Sequence, residues 1–155
     1  MRENLTLIAY ATRGGTTEDY AHAIGSVLTN EFKMQVDIVN LRTDRNPDLT
    51  PYQNVIIGTG IQKFRMYKEA VEFLEKTDFG ARKVNIFLSA LMPRDVVIEK
   101  YVEVLIEKNS KLKPTFVEVL GGRMKVLGRS ITDKTDIEKS KAWARKIAEQ
   151  LQASH

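Results

Sequence analysis

The chain has 155 residues, which is enough for one domain with a buried core and too few for two domains of ordinary size. It has the apolar and charged content of an ordinary globular protein, and the absence of cysteine excludes disulfides, thiolate metal sites and cysteine nucleophiles. The net charge of +4 is spread along the chain without a basic run. This pattern indicates solvated surface with at most a weak preference for acidic partners, and no nucleic-acid partner is expected.

No apolar stretch approaches the roughly 20 residues that a membrane helix requires. The first residues lead directly into an apolar run and do not have the form of a signal peptide. We therefore expect a cytoplasmic protein without a membrane span, and peripheral contact with a membrane stays open. Neither histidine has a second histidine at ligand spacing, so no metal site is expected.

Short apolar runs alternate with helical patterns along the whole chain. The runs end in turn residues and predict strands, whereas apolar residues at i, i+3, i+4 and i+7 predict helices. In chain order we expect a strand at 4–10, a helix at about 17–30, strands at 35–41 and 54–58, a helix at about 67–74, a strand at 83–88, a helix at about 95–105, a strand at 115–120 and a helix from about 133. Asp95 is expected to cap the third helix.

Five strands alternating with helices predict an α/β fold with a parallel sheet covered on both faces. Right-handed crossovers leave few topologies for a chain of this length. We expect a flavodoxin-like three-layer sandwich with strand order 2-1-3-4-5, formed by residues 1–155 as a single domain. Such sheets bind ligands beyond the carboxyl ends of their strands.

The connection between the first strand and the first helix is rich in threonine and glycine: Thr12-Arg13-Gly14-Gly15-Thr16-Thr17. Glycine lets the backbone approach an anion, and the helix start offers unpaired amides and a positive dipole end. Threonine hydroxyls add donors, so this loop favours a bound phosphate monoester. The alternative is that Thr16 and Asp19 form only a helix capping box.

This loop resembles the phosphate loop of the flavodoxin family, which has the pattern T/S-x-x-G-x-T after the first strand. The resemblance continues through residues 52–61 and 68–74 and includes Trp143 in the last helix. Two motifs, Tyr10-Ala11-Thr12-Arg13 at the end of the first strand and Gly121-Gly122-Arg123 after the fifth, resemble those of the branch that includes menaquinone-dependent protoporphyrinogen oxidase.

The resemblance implies that the cofactor is flavin mononucleotide (FMN). Its phosphate would be bound by Thr12, Arg13, Gly14, Gly15, Thr16 and Thr17. Its ring would lie between two further loops, and the residues implied there are Thr59, Gly60, Ile61, Gln62, Ser89, Ala90, Leu91 and Met92. No side chain is predicted to act as a catalytic acid or base.

The two ring loops differ from those of many flavodoxins. Ile61, Leu91 and Met92 stand where aromatic residues often stack on the ring, and Phe64 or Tyr67 could reach it instead, although helical spacing favours the core for Tyr67. Positive residues replace the usual acidic ones: Lys63, Arg65 and Arg94. Positive charge beside the ring is expected to raise the reduction potential. The segment 123–129 is shorter than the basic, aromatic insertion of the oxidases, so the substrate class stays open.

We therefore expect an FMN-binding redox protein, with an FMN-dependent oxidoreductase favoured over an electron carrier. The oxidoreductase would act on a quinone, a porphyrinogen or another small electron acceptor. One alternative is a one-electron carrier that serves a redox protein partner. Another is a flavin-free module that binds a phospho-ligand or a protein, and the sequence leaves the oligomeric state open.

Overall fold

The computed structural model describes residues 5–13, 15–126 and 129–153 of the chain, together with the side chains of these residues except those at 124–126 and 129–131. Five parallel strands form the main sheet; the central ones carry apolar runs, and the edge strand β2 alternates polar and apolar residues. Their bounds are β1 Leu5–Ala11, β2 Gln35–Asn40, β3 Asn54–Gln62, β5 Lys83–Ala90 and β6 Phe116–Gly121. A two-residue strand, β4 Arg65–Met66, pairs antiparallel with the end of β3.

The strands lie in the order β2-β1-β3-β5-β6, which is 2-1-3-4-5 when only the parallel strands are counted. The register places Tyr10 beside Gly58 and Gly60 beside Ser89. The carboxyl ends of the three central strands therefore meet at one edge of the sheet. The predicted α/β class and strand order are confirmed.

Helices cover both faces of the sheet, and their bounds are α1 Thr16–Phe32, α2 Lys68–Lys76, α3 Arg94–Val97, a π-helical segment Ile98–Val102, α4 Glu103–Lys108 and α5 Ile137–Ala153. The apolar stripes of α1 and α5 pack on the face that carries Ile8 and Ile56. The other face carries Leu7 and Val55, and there the stripes of α2 and of the 94–108 stretch pack. Alternate residues of a central strand thus supply two separate cores.

Trp143 lies in the α5 core, where its ring makes an edge contact with Phe87 at 5.9 Å between centroids. This contact places the Trp143 ring against the sheet. A methyl group on neighbouring Gly58 would overlap the Phe87 ring, which leaves glycine as the residue that fits there.

The structure differs from the expected elements at several ends. The prediction that Asp95 caps the third helix was wrong, since the N-cap residue is Pro93 and Asp95 lies inside the first turn. Proline fixes a backbone angle that suits the start of a helix. The last helix begins at Ile137 and not near 133, since β8 Arg129–Asp133 pairs with β7 Arg123–Val126 in a hairpin. β3 continues four residues beyond the expected end at 58.

Candidate functional site

The connection between β1 and α1 turns sharply at Gly15, the N-cap residue, whose φ angle is 84°. This left-handed backbone is costly for residues with a Cβ atom, which explains glycine here. The first helical hydrogen bond runs from the Asp19 amide to the Gly15 carbonyl at 2.9 Å, and no side chain caps the helix. The capping-box alternative was therefore wrong. Helix geometry leaves the amides before Asp19 without an intrahelical acceptor.

Threonine hydroxyls surround this helix start, and Thr12, Thr16 and Thr17 are all buried. The Thr17 hydroxyl donates to Ser89 Oγ at 3.0 Å, which joins α1 to the end of β5. A Cβ atom on Gly60 would lie 3.3 Å from the Thr17 hydroxyl oxygen and 3.9 Å from that of Thr12. The ends of β1, β3 and β5 therefore meet around a cradle that a side chain at residue 60 would fill.

A tight hairpin between β3 and β4 forms a second wall. Gln62 pairs with Arg65, and the two turn residues, Lys63 and Phe64, have φ angles of 51° and 65°. Two-residue hairpins of this kind usually have Asn and Gly at these positions, so the turn is strained. The Tyr101 hydroxyl, which comes from the π-helical segment, donates to the Phe64 carbonyl at 2.6 Å and holds the turn.

Tyr67 connects the hairpin to the β1–α1 connection. Its hydroxyl donates to Gln62 Oε1 at 3.0 Å and accepts from the Arg13 amide at 3.0 Å. Its ring also packs against the core beneath α2. The helical spacing predicted a core position for Tyr67, and the structure shows this in part. Because Tyr67 is the N-cap residue just before α2, it also lines the cavity.

These walls enclose a cavity of about 530 Å³, a size typical of cofactor sites. Its lining includes ten of the residues predicted from sequence: Thr12, Thr16, Thr17, Gly60, Ile61, Gln62, Ser89, Ala90, Leu91 and Met92. Within the described part of the chain, three other predicted residues adjoin this lining without belonging to it: Arg13, Gly15 and Thr59. Gly14 lies outside the described residues.

Sequence reasoning did not assign Gly122 and Arg123 to the site, although both line the cavity. The Gly121-Gly122-Arg123 motif was visible after the fifth strand, but its position in space depends on the turn into β7. Lys63 and Phe64, which the sequence did place near the expected ring, line the cavity as well. Nothing in the sequence marks them as turn residues, since lysine and phenylalanine are not typical of such turns.

The positive residues do not all face the cavity. Lys63 lines it, and Arg65 lies next to it on exposed β4. Arg94 instead donates to the Val117 carbonyl at 3.0 Å and lies 3.8 Å from the Glu118 carboxylate. Arg94 was expected in the wall of the ring site, but it is not part of the described cavity lining, because its helix turns the side chain toward β6.

Two tyrosines behind the helix start stay neutral over a wide pH range. Burial raises the pKa of Tyr10, with a further rise from the neighbouring Glu18 carboxylate. Burial also raises the pKa of Tyr20, whose hydroxyl donates to the Gly121 carbonyl and accepts from the Asp136 amide. These neutral hydroxyls add no negative charge near the β1–α1 connection.

A family model described as flavodoxin domain matches residues 7–153. The chain belongs to the flavodoxin domain family. Protoporphyrinogen IX dehydrogenase [quinone] of Escherichia coli K12 is 30% identical to this flavodoxin domain over 95 residues, which are 61% of this chain and 50% of that protein. The chain therefore spans about half the length of the curated relatives it matches.

Solved structures share the fold of this flavodoxin domain. Oxidised flavodoxin 2 from Bacillus cereus has a TM-score of 0.66 and 22% identity, and the match covers 94% of this chain and 98% of that one. A mutant flavodoxin from Fusobacterium nucleatum, bound to FMN, has a TM-score of 0.52 and 17% identity, with 96% and 93% covered. No helix in the described ranges of this flavodoxin domain has both the length and the apolar character of a membrane span.

The donor set of this flavodoxin domain fits FMN. Hydroxyls and helix amides that lack an intrahelical acceptor suit a phosphate, and Gly60 leaves space beside them. Side chains on the hairpin and after β5 form an apolar part of the cavity wall, which suits a flat ring: Ile61, Phe64, Leu91 and Met92. One cavity thus joins a polar cup to an apolar slot.

Proposed function

We propose that this protein binds FMN in the cavity described above and acts as an FMN-dependent oxidoreductase on a quinone, a porphyrinogen or another small acceptor. The observation that carries the proposal is the continuity of the polar cup with the apolar slot in one cavity at the carboxyl edge of the sheet. Bound FMN would supply two-electron redox chemistry, and a quinone acceptor takes up two electrons and two protons.

The residues of the β1–α1 connection hold the phosphate in this proposal. Thr12 and Thr16 supply hydroxyls, the Thr17 hydroxyl would turn its proton from Ser89 to the anion, and Arg13 and Gly15 supply backbone at the turn around it. The ring is held from one side by residues 59–62 and from the other by residues 89–92. The hydrogen bond from Thr17 to Ser89 connects the phosphate end of the cavity to the wall formed by residues 89–92 before the cofactor arrives.

An exposed apolar edge beside the cavity supports a small hydrophobic acceptor. The Phe64 side chain is 71% exposed although it lines the cavity, and Leu91 is 38% exposed. The strain of the hairpin turn is consistent with a functional position for Phe64. The name of the E. coli relative also includes a quinone. The cytoplasmic location of the present protein stays a prediction.

Electron transfer to a quinone tests the oxidoreductase directly. FMN-loaded protein is reduced anaerobically with one equivalent of dithionite and mixed with a soluble naphthoquinone, and the return of flavin absorbance is followed. We expect Phe64→Ser to slow this step several-fold, because the acceptor loses its apolar contact. The control Ile106→Ser removes another large apolar surface residue, 37% exposed on α4, and should react as wild type does.

A Phe64→Ser protein that reacts as fast as wild type would contradict this acceptor site. Reaction that requires an added redox protein, at every quinone concentration, would instead favour the one-electron carrier.

A further inference from the structure

Arg123 places a guanidinium beside the β1–α1 connection. It is the first residue of β7, and its side chain lines the same cavity as Thr12, Thr16 and Thr17. A Cβ atom on Gly15 would lie 3.9 Å from Arg123 Nη2. The guanidinium is therefore within reach of an anion held at the start of α1.

The backbone before Arg123 is fixed by three elements. The Gly122 amide donates to the Ala90 carbonyl at the end of β5, and the Gly122 carbonyl accepts from the Lys134 amide, both at 2.9 Å. The Tyr20 hydroxyl of α1 donates to the Gly121 carbonyl. A Cβ atom on Gly122 would lie 3.1 Å from the Ala90 backbone, so this close approach favours glycine. Arg123 is thus positioned before any ligand binds.

The first turn of α1 carries two carboxylates, so an anion bound there is more stable when a positive side chain lies nearby. Glu18 and Asp19 lie there, and their carboxylates oppose the binding of a doubly negative phosphate. Arg13 is exposed and outside the cavity lining of the described residues, and Lys63 belongs to the β3–β4 hairpin. Among the side chains that the structure describes, Arg123 is the cation that both lines the cavity and lies beside Gly15. A guanidinium can bind two phosphate oxygens at once.

We infer that Arg123 forms a charge-assisted hydrogen bond with the phosphate of FMN and makes the cavity select FMN over riboflavin. This inference rests on the proposed function. Riboflavin has the same ring and ribityl chain as FMN but lacks the phosphate, so contacts with the ring affect both ligands equally. A contact with the phosphate affects only FMN.

The test compares the two flavins by quenching of their fluorescence on titration with protein. We expect Arg123→Gln to weaken FMN binding about 10- to 100-fold, as the loss of one hydrogen bond to a charged group implies, and to leave riboflavin binding within about twofold. Arg123→Lys keeps the charge and should retain part of the selectivity. Arg145→Gln is the control, since it removes one positive charge from an exposed pair with Glu31 and should change neither affinity.

Unchanged riboflavin binding also shows that the Arg123→Gln cavity is folded. If Arg123→Gln weakens both flavins equally, or weakens neither, the assignment of Arg123 to the phosphate is overturned. If Arg13→Gln abolishes the selectivity and Arg123→Gln does not, the other arginine has the role. Wild-type protein that binds neither flavin would overturn the proposed function and this assignment together.

Discussion

Uncharged hydroxyl groups make the hydrogen bonds that hold the walls of the cavity together. Thr17 bonds to Ser89, Tyr67 to Gln62 and Tyr101 to the Phe64 carbonyl. Each such bond contributes about 1 kcal/mol to stability, and none brings a charge that would compete with an anion. The arrangement lets the few charged residues nearby, Arg123 above all, control what binds.

The hydroxyl of Tyr52 makes the stability of the fold depend on pH in the alkaline range. Burial, together with the Asp37 carboxylate that accepts its hydrogen bond at 2.7 Å, raises the pKa of Tyr52 from 10.0 to about 12. The folded state therefore keeps the phenol neutral where the unfolded state ionises it. This contribution to the free energy of unfolding is fully present below pH 10 and is lost as the pH rises to about 12.

Tyr52→Phe should cost about 1 kcal/mol at pH 7, because the hydrogen bond to Asp37 is lost. Above pH 10 the difference from wild type should shrink, since phenylalanine has no proton to lose. Urea denaturation of both proteins at pH 7 and at several values above 10 measures this. A difference that is constant across the series contradicts the assignment.

At the scale of elements, the β3–β4 hairpin is the part of the site that sequence patterns failed to predict. The apolar run of β3 was visible, but its last residues alternate poorly and lead into a turn of lysine and phenylalanine. The bond from Tyr101 that holds this turn connects residues 37 positions apart, which no local pattern reports. The π-helical segment that contains Tyr101 has ordinary helical spacing in the sequence, so it too was invisible.

Two lysines with left-handed backbone allow a matched test of this hairpin. Lys63 has a φ angle of 51°, and Lys33, at the end of α1, has a φ angle of 57°. Either residue changed to glycine should raise the free energy of unfolding by roughly 0.5 kcal/mol, since relief of backbone strain exceeds the added entropy of the unfolded chain.

Only Lys63→Gly should also change the reduction potential of the bound flavin, because it alone removes a positive charge from the cavity lining. We expect its reduction potential to fall by something on the order of 20 mV, as one partly screened charge implies. A redox titration of FMN-loaded wild type, Lys63→Gly and Lys33→Gly measures this. An equal potential in all three would show that Lys63 does not act on the ring.

At the scale of the whole molecule, the five parallel strands and their order were predictable because the central strands are short apolar runs buried by helices on both faces, whereas the edge strand β2 alternates apolar and polar residues. The threonine and glycine loop was also predictable, since its residues are consecutive. The β7–β8 hairpin and the approach of Arg123 to Gly15 were not, because they depend on contacts between distant segments. The single domain over residues 1–155 stays a prediction.

The central claim is that FMN binds with its phosphate at the start of α1. Fluorescence titration of FMN with wild type, Thr17→Val and Thr29→Val tests it most directly. Thr17 is buried at the cavity, whereas Thr29 is exposed near the other end of the same helix, so the two changes are chemically identical. We expect wild type and Thr29→Val to quench FMN fluorescence at micromolar protein, with binding by Thr17→Val weaker by about 10-fold. No quenching by wild type, or equal affinity in all three proteins, would contradict the account.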